Sequence, residues 1–480
     1  MDRRSLAMFV VILAAATDLT DGAVVNIVLP VIQRDLGAAD ATAAAIASAY
    51  TLALAVLLVT GGRLGDVFGH RLLLGLGMAG FVLTSVLCAT APTAGWLVAA
   101  RALQGVASAV LVPQVLAIIQ ILYPAEERGR ALGLFAAVAG TATLAGPILG
   151  ALITAADLFG WGWRAVFAIN VPLGALVLLG LLVVPGGQRT GSVRDLDLPG
   201  TASLAGGLTL LVAPLLWGPG AGWPVWALAC LAGAVPTLGA LVLRQRRRSR
   251  AGAAVVMDPV LFGFRGLRGA LAVTGFVYAA VFGLFLTLTL YLQGQLGWSA
   301  VTVALVVLPW MLGIPAVSGP ASRWLVPRFG RRVLASGLLL MLVGMGALAV
   351  ALVGGGSGPW AMADGGPVPW ALVGGDPSPW ALVPGLLVAG AGMGLVVAPV
   401  LGLGLAEVPE GLAGAASGLV NNAQHLAGAM GSALLGGLYA AASGGGSMGV
   451  VLAGVLVLLA GALVSVRMLP EHTPGVERGR

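Results

Sequence analysis

Fourteen apolar runs, each about as long as the 20 residues an α-helix needs to cross a bilayer, occupy most of this 480-residue chain. They lie near 6–29, 42–62, 72–91, 95–120, 131–154, 165–184, 199–217, 224–243, 270–292, 299–320, 333–353, 381–402, 413–438 and 447–466. The run at 413–438 is the most polar, with Asn421, Asn422, Gln424 and His425. With 59% hydrophobic and 9% charged residues and a mean hydropathy of +1.01, a soluble fold is excluded. The reading is an all-α integral membrane protein of fourteen transmembrane helices. The 74 glycines suit closely packed helices in lipid. No cleavable signal is expected, because the first run is too long and carries two acids. Cys88 and Cys230 read as small buried hydrophobes, and His70, His425 and His472 form no metal-ligand pattern.

Every basic residue is arginine. If the N-terminus is cytoplasmic, all but three of them fall in inside segments. Arg34 and Arg164 fall outside, and Arg101 lies within a span. So lopsided a split predicts an even number of spans, both termini in the cytoplasm, and a multi-pass protein of the inner (plasma) membrane. The net charge of +7 is then a topology signal, and without a soluble basic domain no nucleic-acid partner is expected. The longest inside segment, Arg244 to Gly269, opens with Arg244, Arg246, Arg247, Arg248 and Arg250. It reads as a solvated linker or as a contact for anionic lipid headgroups. An outside segment repeats Pro-Trp-Ala at residues 359, 369 and 379, and its Gly and Pro content predicts a loop.

Two acids, Asp18 and Asp21, stand inside the first span. A carboxylate at bilayer depth costs several kcal/mol unless it is protonated, paired or wet, so such residues mark ion or substrate paths. Three residues apart on a helix, they share one face. Arg101 lies in the outer half of the fourth span, at a depth close to that of Asp21. The two are expected to meet or to share water. A fixed ion pair and a titrating proton site are both open, and a titrating site is the favoured reading. Gln104, Tyr278, Tyr291, Trp310, Asn421 and Asn422 are candidate linings for an amphiphile pocket, with ordinary packing as the other explanation. No metal-ligand cluster or nucleophile–base pair is present, so neither an enzyme nor a cofactor is expected.

After the second span comes Gly62-Arg63-Leu64-Gly65-Asp66-Val67-Phe68-Gly69-His70-Arg71, and after the tenth Arg328-Phe329-Gly330-Arg331-Arg332. Two such inside loops, with Gly69 and Gly330 in register, suggest related halves around a central site. Asp66 can accept charge-assisted hydrogen bonds from arginine or from a helix N-terminus. The first loop resembles the loop signature of the major facilitator superfamily. Arg101-Ala102-Leu103-Gln104-Gly105 resembles that superfamily's basic fourth-helix motif, and Gly140, Gly146, Pro147 and Gly150 resemble its fifth-helix antiporter motif. The segments Asp21–Pro30 and Trp163–Pro172 are similar to the fourteen-span drug:proton antiporter branch.

The resemblance covers the whole chain. It implies six-helix halves at 1–184 and 269–480, with two inserted helices and a basic loop at 185–268. It implies a proton-coupled exporter of amphiphilic small molecules, working by alternating access and as a monomer, with the substrate, protons and the bilayer as partners. It implies gating by Gly62, Asp66, Gly69 and Arg71, a pliable contact at the glycine motif, and proton coupling by Arg101 with Asp21 and Asp18. In the second loop Pro327 stands where the pattern has an acid. Export of an endogenous metabolite or siderophore is the alternative; a membrane sensor or embedded enzyme is a remoter one.

Overall fold

The computed structural model describes residues 3–186, 197–218, 222–251, 253, 255–256, 259–353, 378–441 and 447–471. Among these residues every regular element is helical. The α-helices are α1 Arg3–Leu36, α2 Asp40–Phe68, α3 His70–Ala89, α4 Ala94–Leu122, α5 Ala125–Ala156, α6 Ala165–Ala168, α7 Asn170–Gly180, α8 Leu198–Trp217, α9 Val225–Arg250, α10 Arg265–Leu290, α11 Ala300–Pro320, α12 Val326–Phe329, α13 Arg332–Val353, α14 Pro379–Leu405, α15 Glu410–Ala441 and α16 Ser447–Ser465. Most of the Pro-Trp-Ala repeat and His472 lie outside the described residues.

Local chemistry sets several of these boundaries. The Thr93 side chain accepts from the Trp96 N–H to start α4, and Ser299 accepts from Thr302 to start α11. Asp197 caps α8 by accepting from Gly200 N–H. Gly69, at φ 100°, separates α2 from α3, and Gly330, at φ 53°, separates α12 from α13. Both angles belong to the left-handed region that favours glycine. The two loops matched in sequence thus share a turn that demands glycine at the matched position.

Ten helical stretches among the described residues are long and apolar enough to cross a membrane, or eleven if the two parts of α2, bent by 51°, count as one span. The protein is therefore an all-α, multi-pass membrane protein. Helices also occupy the other three runs, as α5, α8 and α15, but these pass the same test only over a shorter stretch or not at all. Of these, α15 carries Asn421, Asn422, Gln424 and His425.

The chain divides into two compact units, Met1–Pro259 and Val260–Arg480. In the first, α1 packs on α5 and α7, α4 packs on α2 and α3, and α8 packs on α9 and α2. A Cβ at Gly61 would lie 1.8 Å from the Ala109 carbonyl oxygen, and one at Gly105 would lie 2.2 Å from that of Tyr50. The backbones of α2 and α4 therefore touch directly, as small residues allow in lipid. In the second unit α10 packs on α15 and α16, and α14 on α11 and α13. Gly390 there abuts the Trp310 backbone, and Gly431 abuts that of Ala279. Large apolar side chains such as Leu83, Leu179, Val235 and Val457 are exposed, as helix faces turned to acyl chains should be. Cys88 is buried as expected, whereas Cys230 is half-buried on α9.

Candidate functional site

Six helical segments of the first unit converge on a polar centre. Arg101 of α4 is 1% exposed and Asp21 of α1 is 2% exposed. Arg101 Nη1 donates to Asp21 Oδ2 at 2.6 Å and to Gln104 Oε1 at 2.6 Å. Asp21 Oδ1 accepts from Asn170 Nδ2 of α7 at 2.6 Å and from Gln104 Nε2 at 3.3 Å. Ser85 of α3 accepts from Gln104 at 2.9 Å and from Asn170 at 3.2 Å. The guanidinium lies over the Tyr50 ring of α2, 4.4 Å from its centre, and over that of Phe167 of α6 at 5.8 Å. In a low-dielectric interior such pairing offsets the heavy cost of desolvating two charges, and removing one partner would strand the other.

Asp18, one turn back on α1 and 3% exposed, has different company. Its Oδ1 accepts from the Tyr50 hydroxyl at 2.7 Å and from the Ser108 hydroxyl at 2.5 Å. The structure thus brings Asp21 and Arg101 together and gives Asp18 a separate hydroxyl shell. Gln104, a candidate pocket lining, is instead locked inside the ion-pair network with no exposure. Tyr50, Ser85, Ser108 and Asn170 were not singled out from sequence. Asn170 lies within the Trp163–Pro172 segment, so its motif was in view. The two serines carry no signal, because serine is common in packed membrane helices.

The antiporter-motif glycines sit against the acidic helix. A Cβ at Gly146 would lie 2.8 Å from that of Ala23 and 3.1 Å from the Thr20 carbonyl oxygen, and one at Gly150 would lie 2.3 Å from Val24 Cγ2. Pro147 is buried between them in α5, and Gly140 lies two turns earlier on the same helix. At the loop signature, the Asp66 carboxylate is 40% exposed and lies 3.8 Å from His70 Nε2. The side chain beside it is thus His70, in the first turn of α3. His70 Nδ1 bonds Gln114 Oε1 at 2.8 Å, and Gln114 Nε2 donates to the Gly61 and Val110 carbonyls, each at 2.8 Å. Gly65 leaves room for that glutamine, since a Cβ there would be 2.0 Å from its Oε1. Gly62 has ordinary clearance, 3.6 Å from Pro113, and Arg71 is half-buried.

In the second unit Arg331 Nη2 donates to Glu471 Oε1 at 2.6 Å, and its Nη1 donates to the Leu469 carbonyl at 3.2 Å. A carboxylate from the C-terminal segment thus meets the loop whose own acid position is Pro327. Tyr278 stacks on Phe282 at 6.1 Å, and the buried Trp310 meets Phe285 edge-on at 5.2 Å. Tyr291 and Asn421 are half-buried, whereas Asn422 is buried and its Oδ1 has no hydrogen-bond partner. Among the described residues no group of three or more His, Cys, Asp or Glu side chains could hold a metal ion.

The profile of the Major Facilitator Superfamily matches residues 11–432. The chain belongs to that superfamily. It is 36% identical over 439 residues to the "Probable actinorhodin transporter" of Streptomyces coelicolor, covering 91% of this chain and 72% of that one. It is 36% identical over 440 residues to the puromycin resistance protein of Streptomyces alboniger, covering 90% and 81%. It is 33% identical to the cephamycin export protein of Amycolatopsis lactamdurans, covering 86% and 81%. Among solved structures, a D-xylose–proton symporter superposes with a TM-score of 0.65 at 17% identity, covering 98% of this chain and 99% of that one. That likeness speaks for the facilitator fold alone. As a superfamily member the protein is a membrane transporter, not an enzyme.

Proposed function

We propose that this facilitator is a proton-coupled antiporter that exports amphiphilic small molecules, such as drugs or antibiotics, by alternating access. One observation carries the reading: a buried Asp21–Arg101 pair with a second buried acid, Asp18, one helical turn away. A membrane interior tolerates such groups where they serve an ion or substrate path. The names of the relatives, which concern resistance to and export of antibiotics, support the cargo class.

In this reading the chain has fourteen spans, with α5, α8 and α15 crossing beside the other eleven, and both termini are cytoplasmic. Residues 1–184 and 269–480 form the transporting halves, with 185–268 inserted between them, and the monomer is the working unit. Asp21, Asp18 and Arg101 together form the proton-coupling centre. Gly62, Asp66, Gly69 and Arg71 gate, and Gly140, Gly146, Pro147 and Gly150 keep α5 close against α1. Tyr278, Tyr291, Trp310, Asn421 and Asn422 contribute to substrate selection. The alternative cargo is an endogenous metabolite or siderophore, with the mechanism unchanged.

The test is flux in proteoliposomes. Purified protein should drive accumulation of amphiphilic dyes and aromatic antibiotics when a proton gradient is imposed, and the gradient should collapse faster when cargo is added. Equal flux with and without the gradient would rule out proton coupling.

A further inference from the structure

Two buried acids share one face of α1, yet their hydrogen-bonding partners differ in kind. Asp21 faces donors only: the guanidinium of Arg101 and the amide NH2 groups of Gln104 and Asn170. In this orientation none of these groups turns an acceptor toward the carboxylate. The nearest amide acceptor, Gln104 Oε1, is taken up by Arg101 at 2.6 Å and by the Cys88 thiol at 3.6 Å. A protonated Asp21 would direct its new O–H at other N–H groups and break a buried ion pair. Asp18 faces hydroxyls only, those of Tyr50 and Ser108. A hydroxyl both donates and accepts. When Asp18 gains a proton, either partner can turn and accept it, so both charge states keep their hydrogen bonds without moving a helix.

From this contrast we infer that Asp18 is the group that binds and releases the transported proton, while Asp21 and Arg101 remain a standing ion pair. The inference rests on the transport reading above and assigns the roles within it. Among the described residues the ionisable groups around Asp18 are few. On α1 there is Asp21, on α2 Tyr50, and on α4 Arg101. From α5 and α7 the residues described against this part of α1 are Gly146, Gly150 and Asn170, none of which ionises. Tyr50 links the two acids, since its hydroxyl bonds Asp18 while its ring lies under the Arg101 guanidinium. In each cycle Asp18 takes one proton from one aqueous phase and returns it to the other, with no other bond made or broken. A change of charge at Asp18 reorients the Tyr50 hydroxyl and is felt at the standing pair.

Infrared difference spectroscopy in nanodiscs, between acid and alkaline buffer, tests this without any substrate. Wild-type protein should show the carbonyl stretch of a buried carboxylic acid appearing in acid. Asp18→Asn should abolish that band. Asp21→Asn alone leaves Arg101 unpaired and risks misfolding, so the partner variant is Asp21→Asn with Arg101→Gln, which removes both charges and should keep the band. Tyr50→Phe and Ser108→Ala should each shift its frequency. A band that survives Asp18→Asn, or no such band in the wild type, overturns the inference. Ethidium flux in proteoliposomes separates this from the transport reading. If the band behaves as expected but no proton-driven flux of ethidium or the wider panel is seen in wild type, transport coupling fails while the proton site stands.

Discussion

Arg101 holds together parts of four helices with one side chain. It pairs with Asp21 on α1, braces Gln104 on its own α4, and lies over rings from α2 and α6. Arg101→Ala would leave Asp21 buried and uncompensated, a loss of about 3–5 kcal/mol. We expect poor membrane yield and a sharply lowered melting temperature in fluorescence-detected size exclusion. Arg101→Lys keeps the charge but loses the flat group that stacks on the Tyr50 ring while its Nη1 bonds two acceptors. It should insert normally and melt between wild type and the alanine variant; a lysine variant as unstable as alanine would show that the flat guanidinium matters more than the charge. The sequence made Asp18, Asp21 and Arg101 legible because a charge inside an apolar run stands out. Depth along the helices pointed to Asp21 as the partner of Arg101, and the structure pairs them at 2.6 Å. The sequence could not make Tyr50 or Ser108 legible, since a hydroxyl in such a run has ordinary reasons to be there.

The same limit holds for whole elements. Glycine content announced close packing, but only the structure tells which glycines bear on a neighbour. Gly105 and Gly62 both belong to motifs. A Cβ on the first would strike the Tyr50 backbone at 2.2 Å, whereas one on the second would rest 3.6 Å from Pro113. Gly105→Ala should therefore force α2 and α4 apart at a cost of about 1–3 kcal/mol, while Gly62→Ala should melt like wild type. Thermal unfolding of the two variants side by side checks this, and equal melting temperatures would refute the backbone contact.

The α8–α9 hairpin offers a second case. The basic run on α9 read as a solvated or lipid-facing segment, yet Arg244 turns to Asp197 at 2.7 Å, and Arg248 Nε comes within 3.8 Å of it. Gln245 adds a hydrogen bond at 2.7 Å. No spacing rule foretells a partner 47 residues away. Burial raises the Asp197 carboxyl, but the hydrogen bonds from Arg244, Gln245 and the Gly200 N–H outweigh it and leave the group below its ordinary 3.8. A folded value below the unfolded one gives stability that is present above 3.8 and lost as pH falls through the folded value. The melting temperature of wild-type protein should drop in that acid window. Asp197→Asn should melt lower at neutral pH and show a smaller acid decrement.

At the scale of the whole chain, the membrane class and the helical architecture were legible from run length alone, and the superfamily from a few motifs. Of the three runs outside the ten or eleven apolar helices, α15 is the one whose polar residues, Asn421, Asn422, Gln424 and His425, dilute its signal. Which helix packs on which was not legible, since glycine stripes occur on nearly every span. The arginine split predicts that reporter fusions at Arg480 and within residues 354–377 lie on opposite sides of the membrane. Matching sides would dismantle both the span count and the cytoplasmic placement of the termini. The Asp21–Arg101 pair also bears on how the protein is born. Its members are 80 residues apart in sequence. At ribosomal speed the first helix, with two acids, emerges roughly 4–16 s before the arginine that will neutralise one of them. During that interval α1 is a poor guest for lipid. It has to wait beside the insertion machinery, or enter with its acids protonated, until α4 arrives. Biogenesis of this transporter is thereby ordered in time: the first helix made cannot be the first helix finished.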